Sequence, residues 1–205
     1  MPGSAVQIRA LTAADAGVAA AILAEAFAAD PFACHLLPDP QQRQEGLRRS
    51  FLVYLQRVLL RQHECYIASD GSGVACWMPP GTWPIHPAEE ILLIPGLAKA
   101  FGVRKLPKTL STIAHVQKAH PCKHEHWYLL FLGVLPRNQG SGIGSLLLEP
   151  VLSRCDRTGL PAYLETALES NIRFYMRHGF SVLQEIIIPN GPLLWGMWRD
   201  PLPRS

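Results

Sequence analysis

The sequence is poor in charge and has no long apolar run. Asp, Glu, Lys and Arg make up 17% of the 205 residues, against 48% apolar residues, a balance that excludes a chain that stays unfolded. The longest strongly apolar stretch, Trp127 to Pro136, is interrupted by Gly133 and is shorter than the roughly 20 residues needed to span a bilayer, so no membrane partner is expected. No dense Lys/Arg stripe and no interleaved aromatic residues occur, which argues against nucleic acid despite a formal net charge of +3. That mild positive charge instead suits an anionic small ligand such as a nucleotide coenzyme. The sequence has no CxxC pair. Its cysteines, Cys34, Cys65, Cys76, Cys122 and Cys155, are scattered and odd in number, and read as free thiols of a reducing cytoplasm. The N-terminus shows no basic start followed by an apolar run, which agrees with a cytoplasmic location. Internal repeats and low-complexity segments are also missing.

What is present fits one domain over residues 1–205. Val6 to Leu11 alternates as a strand should, and Thr12 with Asp15 has capping-box spacing, which predicts a helix to about Phe27, ended by Asp30-Pro31. A second helix is expected over Gln42 to Gln62, its Phe51, Tyr54, Leu55, Val58 and Leu59 forming one buried stripe and its arginines a solvated face. Two short strands, Cys65 to Ser69 and Val74 to Met78, flank the turn Asp70-Gly71-Ser72-Gly73. Residues 82–125 form a long insert with helical patches near Ala88 to Phe101 and Lys108 to Ala119, broken at Pro95-Gly96. An insert of that length is expected to shape a substrate wall. Trp127 to Leu135 reads as a strand covered on both faces. A helix over Ile143 to Thr158 follows, with Pro150 expected to kink it. Then come a strand from Pro161 to Thr166, a helix from Asn171 to His178, a strand from Phe180 to Ile188, and Leu193 to Trp198 closing the sheet. This order is an α/β layout with a twisted mixed sheet, mostly antiparallel, flanked by helices.

The segment Val134-Leu135-Pro136-Arg137-Asn138-Gln139-Gly140-Ser141-Gly142-Ile143-Gly144 joins a buried strand to a helix start. Unpaired backbone N–H groups and the helix dipole make such a start an anion site, and glycines let backbone approach phosphate oxygens. A tight turn without a ligand is the alternative reading. Among nucleotide readings, a P-loop needs Gly-Lys-Ser/Thr, but Ser145 and Leu146 follow Gly144. A Rossmann fingerprint needs G-x-G-x-x-G in a leading strand-helix-strand unit, whereas the glycines here are spaced G-x-G-x-G two-thirds of the way along. A coenzyme A loop of the form Q/R-x-x-G-x-G/A is met by Gln139, Gly142 and Gly144.

That loop, with Asn171-Ile172-Arg173-Phe174-Tyr175-Met176-Arg177-His178-Gly179-Phe180 following it, resembles two motifs of the GNAT superfamily of N-acetyltransferases, and the element order agrees over nearly the whole chain. Gly133-Val134, Leu164-Glu165-Thr166, Pro189-Asn190-Gly191-Pro192, Trp195 and Met197 are similar to the puromycin N-acetyltransferase group within it, while residues 82–120 match little. The resemblance implies a single GNAT-like domain with a V-shaped gap between the fourth and fifth strands, those of Trp127 and Ala162. It implies acetyl-CoA as co-substrate, held by Leu132, Gly133, Val134, Gln139, Gly140, Ser141, Gly142, Ile143, Gly144, Ser145, Asn171 and Phe174. A backbone N–H near Val134, at a strand bulge, would stabilise the oxyanion.

The resemblance further implies catalytic roles. Tyr175 would protonate the leaving thiolate; its structural alternative is a core ring beside Phe174. Glu165 would take the proton of the incoming ammonium, or anchor that ammonium, or make a structural hydrogen bond. Phe27 and Asp30 are expected at the acceptor site by likeness. Trp77 and Trp83, beside a Pro-Gly turn, read either as core or as an apolar acceptor wall. The alternation His120, Cys122, His124, His126 hints at metal, but zinc sites use longer, loop-spanning spacings, so a surface loop is expected and no metal. His126 remains a minor base candidate. The leading function is acetyl transfer to a primary amine of a small molecule, antibiotic-like in character, by a monomer or homodimer. The alternatives are a protein or peptide N-acetyltransferase and a non-catalytic acetyl-CoA-binding module.

Overall fold

A computed structural model describes residues 6–202. Strand β1 (Ile8–Ala10) leads to Thr12, whose N–H and hydroxyl both donate to the Asp15 carboxylate at 2.9 and 2.7 Å, and the chain turns there into α1 (Ala16–Ala26). Asp30 does more than end that helix. Its carboxylate accepts the Ala33 N–H at 3.0 Å and caps α2 (Pro31–Leu36), with Pro31 at the first helical position. Helix α3 (Pro40–Arg57) is shorter than its apolar stripe suggested, because Leu59 to Gln62 tighten into a 3-10 turn before β2 (Cys65–Ala68) and β3 (Gly73–Met78).

The insert folds as α4 (Pro87–Phe101) and α5 (Leu106–Ala119), separated at Gly102 rather than at Pro95-Gly96. Two facts let α4 run through that pair. Pro95 lies on the exposed face, as does Ile91, so the carbonyl that loses its partner meets water. Gly96 faces α3: a Cβ there would stand 2.3 Å from Val53 Cγ2, so the glycine is needed for helix contact rather than for a turn. The remaining elements are β4 (Trp127–Val134), α6 (Ile143–Thr158, unbroken at Pro150), β5 (Ala162–Thr166), α7 (Glu169–Met176), β6 (Ser181–Ile187) and β7 (Leu193–Arg199).

The seven strands run in the order β1-β2-β3-β4-β5-β7-β6. All neighbours are antiparallel except β4 and β5. The last strand does not close the sheet at its edge; β7 slots between β5 and β6. Each face carries its own core. Leu23, Leu55, Leu93 and Tyr163 belong to the core on the side of α1, α3 and α4, and Trp77, Leu147, Leu164 and Met197 to the core on the side of α6. Arg199, 3% exposed, ties the second layer together. It donates twice to Asp156 of α6 at 2.8 Å and once to the His178 carbonyl after α7. No helix among the described residues is long and apolar enough to cross a membrane.

Candidate active site

The site forms where β4 and β5 stop pairing. Trp127, Tyr128 and Leu129 lie opposite Ala162, Tyr163 and Leu164, and beyond these three pairs the parallel strands separate. Parallel strands that diverge leave backbone N–H and C=O groups facing a gap instead of a neighbour. The bulge of β4 lies at the same place. Cys76 pairs with Phe131 and Trp77 with Leu129, so Leu130 is the extra residue. This corrects the expectation of a bulge near Val134, because the register break coincides with the point of splay and not with the strand end.

Past Val134, a 3-10 turn over Pro136–Asn138 leads into the glycine loop. Gly142, at φ 87°, is the left-handed residue from which α6 starts, and a side chain there would be strained. Within the loop, Gln139 donates to the Val134 carbonyl at 3.2 Å and the Ser141 hydroxyl to the Asn138 carbonyl at 2.5 Å. These side chains brace the turn and leave the backbone N–H groups at the start of the 16-residue α6 without intrahelical partners. Gly144 meets α7: a Cβ there would lie 3.0 Å from Phe174 Cζ. Ser145 is engaged too. His178 Nδ1 lies 2.9 Å from the Phe174 carbonyl, which can only accept, so in the neutral ring Nε2 is bare and takes the Ser145 hydroxyl hydrogen at 2.9 Å. What Ser145 can still offer an anion is its backbone N–H.

A cavity of ≈ 650 Å³ runs from this loop through the gap to the other face of the sheet. On the loop side it is lined by the glycines, Leu132 to Val134, Asn171 and Phe174, together with Asn138, Ser170 and Arg177, which sequence reasoning did not single out. On the far side its walls include Phe27, Asp30 and Trp83, and also Phe51, Tyr54, Phe131, Ile113 and Val116. The Phe51 and Phe131 rings stand edge to face with centroids 4.9 Å apart, and Phe27 and Tyr54 pack around them. The stripe on α3 was legible as buried. That it borders a cavity rather than only core depends on where β4 and α1 lie, which no local pattern encodes.

Tyr175 lines the same cavity and is 6% exposed, between the rings of Phe174 and Phe180. Burial, and after it the charge of Asp30, pushes its phenol above the ordinary value, so it is protonated at neutral pH. Its ring is thus part of the core, as in the structural alternative, while the residue also borders the cavity. Asp30 is itself raised by burial, against the pull of its hydrogen bonds from Ala33 and Phe32. Glu165 follows the last β4–β5 pair, with its side chain 8% exposed and its Oε1 buried without a hydrogen-bond partner among the described residues. Burial and then the Glu165 charge push the Tyr128 phenol up, and the neighbouring Tyr163 phenol is raised by the same causes.

Three expectations fail. Trp77 is fully buried in the core beneath α6 and is no part of an acceptor wall, because alternation along β3 turns it to the opposite face. The His120–His126 segment is not simply a surface loop: Cys122 to Glu125 are exposed, but His120 and His126 are 5% and 9% exposed and their Nε2 atoms lie 2.9 Å apart. His126 does not line the cavity; it reaches the site only through His120, whose Nδ1 is 3.5 Å from Glu165 Oε1. Among the described residues no group of three or more His, Cys, Asp or Glu is placed to hold a metal ion.

The acetyltransferase (GNAT) family matches residues 75–180, which contain β3, the splay, the glycine loop and α7. An uncharacterized N-acetyltransferase of Schizosaccharomyces pombe is 28% identical over 178 residues, covering 83% of this chain and 72% of its own. Among solved structures, a histone acetyltransferase HPA2 and related acetyltransferase from Corynebacterium glutamicum superposes with a TM-score of 0.70 at 25% identity, over 98% of this chain and 99% of that one. Arylalkylamine N-acetyltransferase 2 from Aedes aegypti shares the fold at a TM-score of 0.58 and 14% identity, over 96% and 99%. The glycine loop, the gap beside it and these likenesses have one reading: the chain belongs to the acetyltransferase (GNAT) family and is an acetyl-CoA-dependent N-acetyltransferase.

Proposed function

We propose that the protein acetylates the primary amine of a small molecule with an apolar, ring-bearing body, by direct attack of the amine on the thioester. The observation that carries this reading is that Tyr175 and Glu165 border one cavity whose far wall is built from Phe27, Phe51, Phe131 and Trp83. A thioester is already activated, so the protein's task is alignment and charge management. The N–H groups of Gly140, Gly142, Ile143, Gly144 and Ser145 would receive the coenzyme pyrophosphate, braced by Gln139 and Ser141. Leu132 to Val134, Asn171 and Phe174 would flank its pantetheine arm. Glu165 takes a proton from the ammonium, and the amine nitrogen then bonds to the thioester carbon. The oxyanion accepts from backbone N–H groups that β4 exposes at its splay. The C–S bond breaks, Tyr175 gives the thiolate its proton and regains one from the protonated amide nitrogen. Asp30 and Glu165 favour a cationic head group, and the aromatic wall favours its apolar body. The free thiols of all five cysteines agree with a reducing cytoplasm.

A panel of aryl and alkyl amines and short peptides, assayed with acetyl-CoA for free thiol, tests this. Fastest turnover on an arylalkylamine or similar ring-bearing amine is expected. Turnover confined to peptides would assign a protein acceptor. Tight acetyl-CoA binding with no thiol released by either class would leave a binding module.

A further inference from the structure

Behind Glu165 lies a pair of buried histidines whose hydrogen bonds permit one arrangement of protons while both rings are neutral. His126 Nδ1 is 2.7 Å from the His124 carbonyl, which can only accept, so Nδ1 carries the hydrogen and, in the neutral ring, Nε2 is bare. The 2.9 Å contact between the two Nε2 atoms then requires His120 to donate from its Nε2. A neutral His120 is therefore bare at Nδ1, and that atom lies 3.5 Å from Glu165 Oε1. Both atoms are buried and, among the described residues, neither has a hydrogen-bond partner, while the Tyr128 and Tyr163 hydroxyls stand near the same carboxylate. With Glu165 as the carboxylate, two acceptors stand at that distance, and one proton added between them would serve both.

We propose that His120 and His126 form a one-proton store for the acetyl transfer, filled through Glu165 while the cavity is occupied and emptied through it afterwards. The inference rests on Glu165 being the base. In the filling step the ammonium N–H bond breaks, its proton passes by way of Glu165 to His120 Nδ1, and the free amine keeps the electron pair. The carboxylate and a His120 imidazolium then replace the carboxylate and the ammonium, so the net charge of the buried site is unchanged and no second unpaired charge is created. The imidazolium is held by Glu165 on one side and by His126 Nε2 on the other, the latter kept bare by the His124 carbonyl. After the acetylated amine leaves, the proton returns through Glu165 to water in the cavity, which balances the one proton released per turnover. The other groups around the pair are Tyr128 on β4, Tyr163 on β5, Trp83 and Trp198, all in ring contact with one of the two imidazoles. Burial lowers the His126 imidazole below its usual value, which keeps that ring the acceptor of the pair. His120 and His126 are positioning residues, since neither lines the cavity.

The test joins a spectrum to kinetics. In the wild-type protein, 15N imidazole shifts at neutral pH should show His126 as the Nδ1–H form and His120 as the Nε2–H form, with a single proton taken up jointly on acidification. A His120 ring carrying hydrogen at Nδ1 at neutral pH, or two independent titrations, overturns the store whatever the variants do. With 2-phenylethylamine as acceptor, His120→Gln and His126→Gln should each lower kcat about tenfold and change the acid limb of the pH–rate profile, with amine KM and acetyl-CoA affinity unchanged. If Glu165→Gln is slow but both histidine variants keep the wild-type rate and profile, the store fails and Glu165 stands as the base. If Glu165→Gln itself keeps the wild-type rate, the reading of the base fails, and the store with it.

Discussion

The two halves of the cavity are built from different materials. The coenzyme half comes from one continuous stretch, β4 to α7, and offers mainly backbone groups: the N–H donors at the start of α6 and the edge that β4 presents at its splay. The acceptor half is assembled from side chains of α1, α2, α3, α5 and β4, and from Trp83 between β3 and α4. Backbone donors fixed by glycine geometry suit a ligand that never changes. Side chains drawn from separate helices can change one at a time, so they can be altered for a new acceptor without disturbing the coenzyme loop.

Variants that strike one half alone test this division. The largest effect is expected at Tyr175, where the halves meet. Tyr175→Phe should lower turnover by ~10²-fold or more with acetyl-CoA affinity nearly intact, as for loss of a general acid. Wild-type turnover would leave Tyr175 as a core ring only. Next, Gly142→Val puts a branched side chain at φ 87° and in the path of the phosphates. It should weaken acetyl-CoA binding by at least ~2 kcal/mol, about 30-fold, the scale of a few lost charge-assisted hydrogen bonds. Calorimetric titration of the folded variant checks this, and an unchanged affinity would remove the loop from the coenzyme site.

Legibility in the sequence follows the same division. The loop, β5 and α7 were readable because each is local: a glycine's positive φ, a strand end and a helix face are set within a few residues. Ile143–Thr158 agrees residue for residue, since Gly142 and Gly159 bracket it in left-handed conformations. Misreadings arose where a distant element decides. Pro95-Gly96 looks like a break until Val53 of α3 is seen against the glycine. Trp77 and Trp83 are equivalent in the sequence, but β3 turns one under α6 and the loop turns the other into the cavity. His120 and His126 look like a polar loop until Tyr128, Tyr163 and Glu165 close around them.

Smaller effects sharpen the comparison. Phe131→Leu keeps an apolar wall but removes the edge-to-face partner of Phe51. It should raise KM for a ring-bearing amine about fivefold, an energy of about 1 kcal/mol, without changing acetyl-CoA affinity. Equal losses for both ligands would mean that the halves are not separable. The smallest effect concerns the scaffold under the coenzyme half. Hydrogen bonds from Arg199 hold the Asp156 carboxyl below its ordinary value. A lowered folded-state value gives stability that is present above the unfolded carboxylate range, near ~4, and is lost as pH falls through the folded value. Thermal melts should therefore show Asp156→Asn less stable than wild type at neutral pH, with the difference narrowing below about pH 4. A difference that widens on acidification would contradict the assignment.

The most direct test of the division is Glu165→Gln, measured for both ligands in one preparation. The substitution keeps the side chain's shape at the mouth of the gap but cannot take a proton. Turnover with the best amine of the panel should fall by about 10²-fold, the acid limb of the pH–rate profile should disappear, and the acetyl-CoA dissociation constant should stay within about twofold of wild type. Turnover and pH profile unchanged, with only a higher KM for the amine, would make Glu165 an anchor and contradict the account of how the gap performs the transfer.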